Sequence, residues 1–201
     1  LGKSRIELRR WVENLGEEGG WKVFILRLGH RPDRDKRITT HVFLAARAFG
    51  AHGAFYSGLR DEKAERSIEK AVESWGGKFR VEFVENWLDK IKDWWRNGGE
   101  VIHLTMYGMP LNEVIQEIRE SKKDKLLIVG GAKVPRIVYE LADWNVSVTS
   151  QPHSEVSALS VFLHELYMGR ELNRIFEDAK IRVVPQPRGK KIVKVSVKNP
   201  D

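Results

Sequence analysis

The sequence predicts an α/β fold: a mostly parallel sheet with helices on both faces and a β-hairpin at its C-terminal end. Three observations predict it. Short apolar runs rich in Val, Ile and Leu recur along the chain, and most are followed by a stretch with helical spacing. Glycines, prolines and cap-forming Asp, Asn and Ser stand at the joins. The alternation fails over the last two runs, which are both β-branched and basic. Strands alternating with helices indicate a parallel sheet covered on both sides.

Residues 1–20 read as a helical appendage. Ser4 and Glu7 have the spacing of a capping box, and Leu8, Trp11, Val12 and Leu15 fall on one helical face before Gly16, Gly19 and Gly20 stop it. A helix that short is marginal alone and must dock on something. The main unit, residues 21–178, opens with a buried strand at 23–28, a polar loop at 29–36 and a helix at 38–49 stopped by Gly50. A short strand at 53–56 leads to a helix at 61–75, capped by Asp61 and stopped by Gly76 and Gly77. An alternating strand at 79–84 precedes a helix at 86–96, with Trp87, Ile91, Trp94 and Trp95 placed to pack inward. A strand at 101–104, a helix at 111–119 and a buried strand at 125–129 follow. Pro135 opens a short helix to 141, a strand covers 145–148, and a long apolar helix covers 154–167. Strands at 181–184 and 192–197 make the hairpin arm, residues 179–201.

Composition bounds the function classes. Hydrophobic residues make up 41% of 201, enough for a core, and no apolar run approaches the ~20 residues of a membrane span. No basic-then-apolar leader opens the chain, and there is no cysteine, which fits a cytoplasmic protein and excludes disulfides and thiolate metal sites. The net charge of +7 favours contact with phosphate backbones, although a merely basic soluble protein accounts for it equally well.

Ligands of open α/β sheets bind beyond the carboxyl ends of the strands. Four such ends carry unusual residues: 29–32, 105–108, 130–133 and 150–155. The first lies in a dense cationic stretch of Arg27, His30, Arg31, Arg34, Lys36 and Arg37, followed by Thr39, Thr40 and His41. Arginines grip phosphate oxygens with several donors, and so many cations repel one another unless an anion relieves them. A lone helical histidine such as His41 is more often packed than catalytic, and His30, His103 and His164 are read with the same caution. Gly130 and Gly131 permit close approach of backbone to a ligand, or simply an ordinary strand-to-helix turn. Ser154 and Glu155 suit a helix start. There is no GxGxxG or Walker pattern and no His–carboxylate spacing for a metal, so phosphate loops and metal sites are not expected.

Together these segments resemble the archaeal tRNA cytidine-56 2′-O-methyltransferases. The resemblance runs from residue 22 to about 195. It is carried by 27–41, 46–51, 103–108 (His-Leu-Thr-Met-Tyr-Gly), 129–135 (Val-Gly-Gly-Ala-Lys-Val-Pro), 139–143, 151–156 (Gln-Pro-His-Ser-Glu-Val) and 184–191, in that order. The sequence departs from the family pattern at Ala132, where an acidic residue is expected, and at Thr149 and Ser150, which replace a Gly-Asn-like pair.

The resemblance implies a SPOUT-class fold whose C-terminal part threads a trefoil knot, a homodimer, and S-adenosylmethionine bound in the knot. By motif, the cofactor contacts fall on Leu104, on Gly130, Gly131, Ala132, Lys133 and Val134, and on Val148, Thr149, Ser150, Gln151, Pro152, His153, Ser154 and Glu155. The implied reaction is 2′-O-methylation of cytidine 56 in the tRNA T-loop. Arg31, Arg34 and Arg37 are the candidates for phosphate grip or hydroxyl activation, with His41 a weaker one. A non-catalytic RNA-binding protein on the same scaffold, or a related methyltransferase acting at another RNA site, are the competing expectations. The cations Arg182, Arg188, Lys190, Lys191 and Lys194 either extend the RNA surface or protect the strand edges.

Overall fold

The computed structural model describes residues 20–131 and 133–195. The appendage expected over 1–20 therefore lies outside the described residues, apart from Gly20. Six strands form one sheet: β1 (Val23–His30), β2 (Gly53–Gly58), β3 (Arg80–Phe83), β4 (Glu100–Pro110), β5 (Lys125–Gly130) and β6 (Trp144–Ser147). Their order is β3-β2-β1-β5-β4-β6, and every pairing is parallel. Between and after them run α1 (Pro32–Ala48), α2 (Glu62–Trp75), α3 (Trp87–Arg96), α4 (Leu111–Glu120), α5 (Arg136–Leu141) and α6 (Glu155–Tyr167). A 3-10 turn at Arg170–Asn173 leads to the antiparallel pair β7 (Ile181–Val183) and β8 (Ile192–Lys194). The expected α/β class and terminal hairpin are what the structure has.

The central strands are apolar on both sides because both sides are covered. Val23 and Ile25 of β1 and Leu127 and Val129 of β5 join one core with Val42, Phe43 and Ala46 of α1, Ile115 and Ile118 of α4, and Leu159, Phe162 and Leu163 of α6. Leu26 and Leu28, with Leu126 and Ile128, join a second core with Ile91 of α3 and Val138 of α5. The period of two thus assigns α1, α4 and α6 to one face and α3 and α5 to the other. It also sends Arg27 towards the α6 side.

Two elements depart from the sequence reading. The polar stretch expected as a loop over 29–36 is mostly helix, since α1 starts at Pro32 rather than at 38. Proline is well suited to a first helical position because its missing N–H has no partner there in any case. Asp33 and Asp35 in the first turn then favour the helix dipole. Strand β4 also runs past 104 to Pro110. It pairs with β6 twice, Leu104 and then Met109 both facing Val146, so residues 105–108 loop out between the two pairings. Gly108 permits this return, because a Cβ there would collide with the Asn145 backbone. That excursion is part of the site.

Candidate active site

The carboxyl ends of the strands carry two adjoining clefts. The first, of about 390 Å³, lies over β5, β4 and β6 and is lined by segments 103–107 and 129–131 and by Val134, Tyr139, Val146, Val148, Pro152, His153, Glu155 and Ala158. The second, of about 610 Å³, lies over β3, β2, β1 and β5 and includes Arg31, Arg34, Glu85, Trp87, Lys133 and Pro135. Gly131 lines both. This seam falls where the chain leaves neighbouring strands β1 and β5 in opposite directions, the switch point at which such sheets bind ligands.

Arg27 stands under the seam. Its side chain is 1% exposed; Nη1 donates to the Leu28 carbonyl at 3.3 Å, and Nη2 lies 3.4 Å from Oε1 of Glu155 at the start of α6. Nε has no partner among the described residues. Burial lowers the pKa of this guanidinium, and the Glu155 charge opposes the shift. A Cβ on Gly131 would lie 3.8 Å from both terminal nitrogens of Arg27, in ordinary contact.

The start of α1 is fastened from beneath. His30 is fully buried, with Nδ1 2.8 Å from Thr39 Oγ1 and Nε2 3.3 Å from Asp61 Oδ2. The other oxygen of Asp61 caps α2, accepting from the N–H groups of Lys63 and Ala64. His30 therefore ties β1, α1 and the cap of α2 together, which sets the direction in which α1 presents its first turn. On that turn Arg31 donates from Nε and Nη2 to the two Asp35 oxygens at 3.1 and 3.4 Å. Burial works against the Asp35 carboxylate, but the hydrogen bonds and charge of Arg31 outweigh it and hold its pKa below the ordinary value. Arg34 and Lys133 are exposed and have no such partner among the described residues.

The floor of the first cleft is polar but ordered. Asn145 Nδ2 donates to the Tyr139 carbonyl at 2.8 Å, which turns Asn145 Oδ1 towards His103 Nδ1, 2.9 Å away. The Nδ1 of His103 is thus the donor, and Nε2 is left as an acceptor with no partner among the described residues. Burial pushes the His103 pKa down, against the Asn145 hydrogen bond, so the ring is neutral near pH 7. Thr105 Oγ1 and Tyr139 Oη, 3.1 Å apart, join the strand excursion to α5.

Of the expected cofactor contacts, Leu104, Gly130, Gly131, Val134, Val148, Pro152, His153 and Glu155 line the first cleft. Lys133 lines the second, Ala132 lies outside the described residues, and Thr149, Ser150, Gln151 and Ser154 are exposed on the rim segment without lining either. Ser154 caps α6, its Oγ accepting from Ser157 N–H at 3.2 Å. Arg31 and Arg34 meet the second cleft; Arg37 and His41 lie further along α1, exposed, and line neither. Sequence reasoning gave no site role to Tyr139, which it read only as part of the 139–143 motif, to Glu85 or to Arg27. The available signal was an arginine inside the otherwise apolar run of β1. No group of three or more His, Asp or Glu residues fit to hold a metal occurs among the described residues.

Comparison with known proteins places this arrangement. A family model described as tRNA ribose 2′-O-methyltransferase, aTrm56, matches residues 75–193. The tRNA (cytidine(56)-2′-O)-methyltransferase of Methanopyrus kandleri is 57% identical over 171 residues, covering 85% of this chain and 96% of the relative. The protein of the same name from Methanothermobacter thermautotrophicus is also 57% identical, over 84% of this chain and 94% of its own length. Among solved structures, the TrmH/SpoU tRNA modifying enzyme of A. aeolicus matches with TM-score 0.55 and 18% identity over 83% of this chain and 84% of that one, a likeness of fold. The chain belongs to the aTrm56 family of tRNA ribose 2′-O-methyltransferases.

Proposed function

We propose that the chain transfers a methyl group from S-adenosylmethionine to the ribose 2′-hydroxyl of cytidine 56 in tRNA, with the cofactor in the first cleft and the ribose at the Gly131 seam. The observation that carries this reading is the meeting of a cleft with apolar walls over a polar floor and a cationic one at Gly131, above the buried Arg27. The residues present fit the cofactor. The first cleft has the size of a small-molecule site, Gly131 leaves open space at its edge, Gly130 lets the Val134 side chain close against the end of β5, and the acceptor Nε2 of His103 beneath it has no partner among the described residues. Leu104, Gly130, Gly131, Val134, Val148, Pro152 and His153 would hold it there. When bound, S-adenosylmethionine supplies a methyl group made electrophilic by the sulfonium.

The chain's own residues do the rest. Arg34 and Lys133 bind phosphate oxygens of the incoming strand, and Arg31, held by Asp35, presents its guanidinium at the same cleft. A 2′-hydroxyl is a poor nucleophile unless its proton is removed or its oxyanion is stabilised. Arg27 supplies fixed positive charge under the seam from a buried setting, where charge acts more strongly than in water. Arg37 extends the cationic face along α1 with His41 one turn beyond it, and Thr149, Ser150, Gln151 and Ser154 border the cofactor.

We further infer a trefoil knot. After β5 the chain passes through α5 on one face, crosses to β6 beyond β4, and returns through α6 on the other face. The homodimer is supported by a run of exposed apolar residues along and after α6: Val161, Met168, Leu172 and Ile175. No described helix is long and apolar enough to cross a membrane, and a cytoplasmic location suits a tRNA substrate. Incubation of labelled cofactor with an unmodified tRNA transcript, followed by mapping of the labelled nucleotide, tests the reading. Label at cytidine 56 supports it, and label at another nucleotide or none at all contradicts it.

A further inference from the structure

We propose that the far end of the second cleft is a cytosine-reading pocket, in which the target base stacks on Trp87 and donates its exocyclic amino group to the Glu85 carboxylate. The inference rests on the reading that the ribose lies at the Gly131 seam.

The cleft is graded along its length. Next to the seam stand cations, Lys133 after β5 and Arg31 and Arg34 after β1. At the other end, after β3, stand Glu85 and Trp87. The two ends are separated by about three inter-strand spacings of ~4.8 Å. A nucleotide bound with its sugar and phosphates at the cationic end would extend its base towards the acid and the indole.

Each end suits the part it would meet. Trp87 is half-buried, packed against the second core on one side while lining the cleft on another. An indole held by packing is a stacking platform that pays little ordering cost. Its place is fixed by the start of α3, where Asn86 Oδ1 accepts from the N–H groups of Leu88 and Asp89. Among the described residues, Glu85 is the one acid lining this cleft, and it has no ion pair or hydrogen bond with any of them. A free carboxylate in a groove that takes a polyanion repels phosphate, so it is tolerable only where the ligand offers donors. Cytosine offers its N4 amino group to such an acceptor. Uracil carries a carbonyl at the same position and would be repelled. Gly58 and Ser57 line the cleft between its two ends; Gly58 has φ +111°, and a Cβ there would strike the His30 backbone, so β2 can end close against β1 at this point.

The test uses the full chain and two T-arm stem-loop RNAs, with cytidine or uridine at position 56. Both cofactor-free binding and methyl transfer are measured for the parent, Glu85→Gln, Trp87→Phe and Trp87→Ala. The parent is expected to prefer the cytidine RNA by about tenfold or more. Glu85→Gln should reduce that ratio to about threefold or less, with an unchanged melting temperature. Trp87→Ala should raise KM about tenfold for both RNAs alike, with a smaller change in kcat, and Trp87→Phe should restore most of the loss. A Glu85→Gln protein that keeps the parental ratio, or a Trp87→Ala protein with parental KM, would overturn the pocket. The two binding arms separate this proposal from the one beneath it. A parent that distinguishes the RNAs in binding but transfers no methyl group upholds the pocket and overturns the catalytic reading. A parent that methylates cytidine 56 while Glu85→Gln keeps its preference does the reverse.

Discussion

Arg27 and Glu155 face each other at 3.4 Å beneath the seam of two clefts, the first from within the central strand β1 and the second from the first turn of α6. The pair joins the strand that precedes the cationic helix to the segment that borders the cofactor cleft. It is unequal in exposure, 1% for the arginine side chain against 26% for the glutamate.

That inequality sets the first prediction. Arg27→Met removes a buried cation whose desolvation already lowers its pKa, and it leaves a carboxylate that can still reach water. Folding stability is expected to change by no more than about 1 kcal/mol. Methyl transfer should fall at least tenfold, because the charge under the seam is gone. Paired denaturant titrations and kcat/KM measurements check this. A variant with parental kcat/KM would remove Arg27 from the mechanism.

Gly131 separates space from fold. A Cβ there meets nothing closer than 3.8 Å, so Gly131→Val is expected to fold with a melting temperature within about 4 °C of the parent. Its side chain would fill the seam, and cofactor binding or methyl transfer should drop by at least about tenfold. Gly130→Ala acts differently, since its Cβ would collide with Val134 Cγ2 and displace the cleft wall. Calorimetric cofactor titrations against both variants distinguish the two effects.

The neutral state of His103 has a pH consequence. Burial lowers its folded-state pKa below the ordinary 6.5, and burial does the same to His52. The unfolded chain therefore takes up these protons more readily than the folded one. Stability from this source is complete above about pH 6.5 and is lost as pH falls from there through the lower folded-state values. Urea midpoints should decrease between about pH 7 and pH 5. His103→Asn, which keeps a donor towards Asn145, should show a shallower decrease. An unchanged slope would mean that His103 titrates no differently in the folded protein.

How far these residues could be read beforehand varied with what the local pattern encodes. The strands were legible because most are short runs of β-branched, leucine or aromatic residues with glycine or a cap beside them. Asp61 and Ser154 stand at the caps that the spacing indicates, and Asn86, read as the first residue of its helix, is its cap. The start of α1 was not legible, because proline and aspartate mark a loop and a first helical turn equally well. The second half of β4 was hidden for a different reason. Its pairing with β6 depends on Gly108 lying against Asn145, a contact 37 positions distant in the chain that no window of sequence contains. Arg27 was visible as one more cation in a basic stretch, but its burial follows from helices on both faces, a property of the whole sheet. Trp87 and Glu85 read as packing and loop, since the cleft they line is formed by four different strand ends. The cofactor segments 130–134 and 148–155 were legible through resemblance, whereas their local pattern alone fits an ordinary turn and a helix cap.

Within the cationic helix, position decides effect. Arg34 and Lys133 line the second cleft without partners among the described residues, whereas Arg37 and His41 lie beyond it. Arg34→Ala and Lys133→Ala should each weaken tRNA binding about threefold to tenfold and reduce the salt slope by about one. Arg37→Ala and His41→Ala should have smaller effects. Anisotropy titrations over a range of salt concentrations give both quantities, and equal losses from all four would show that the cleft does not orient the RNA.

The most direct measurement of the central claim is methyl transfer to two tRNA transcripts that differ by one atom, with cytidine or 2′-deoxycytidine at position 56. The account predicts stoichiometric transfer to the first and none to the second, with the label in a ribose 2′-O-methyl group. Equal labelling of both transcripts, or label on a base, would contradict it.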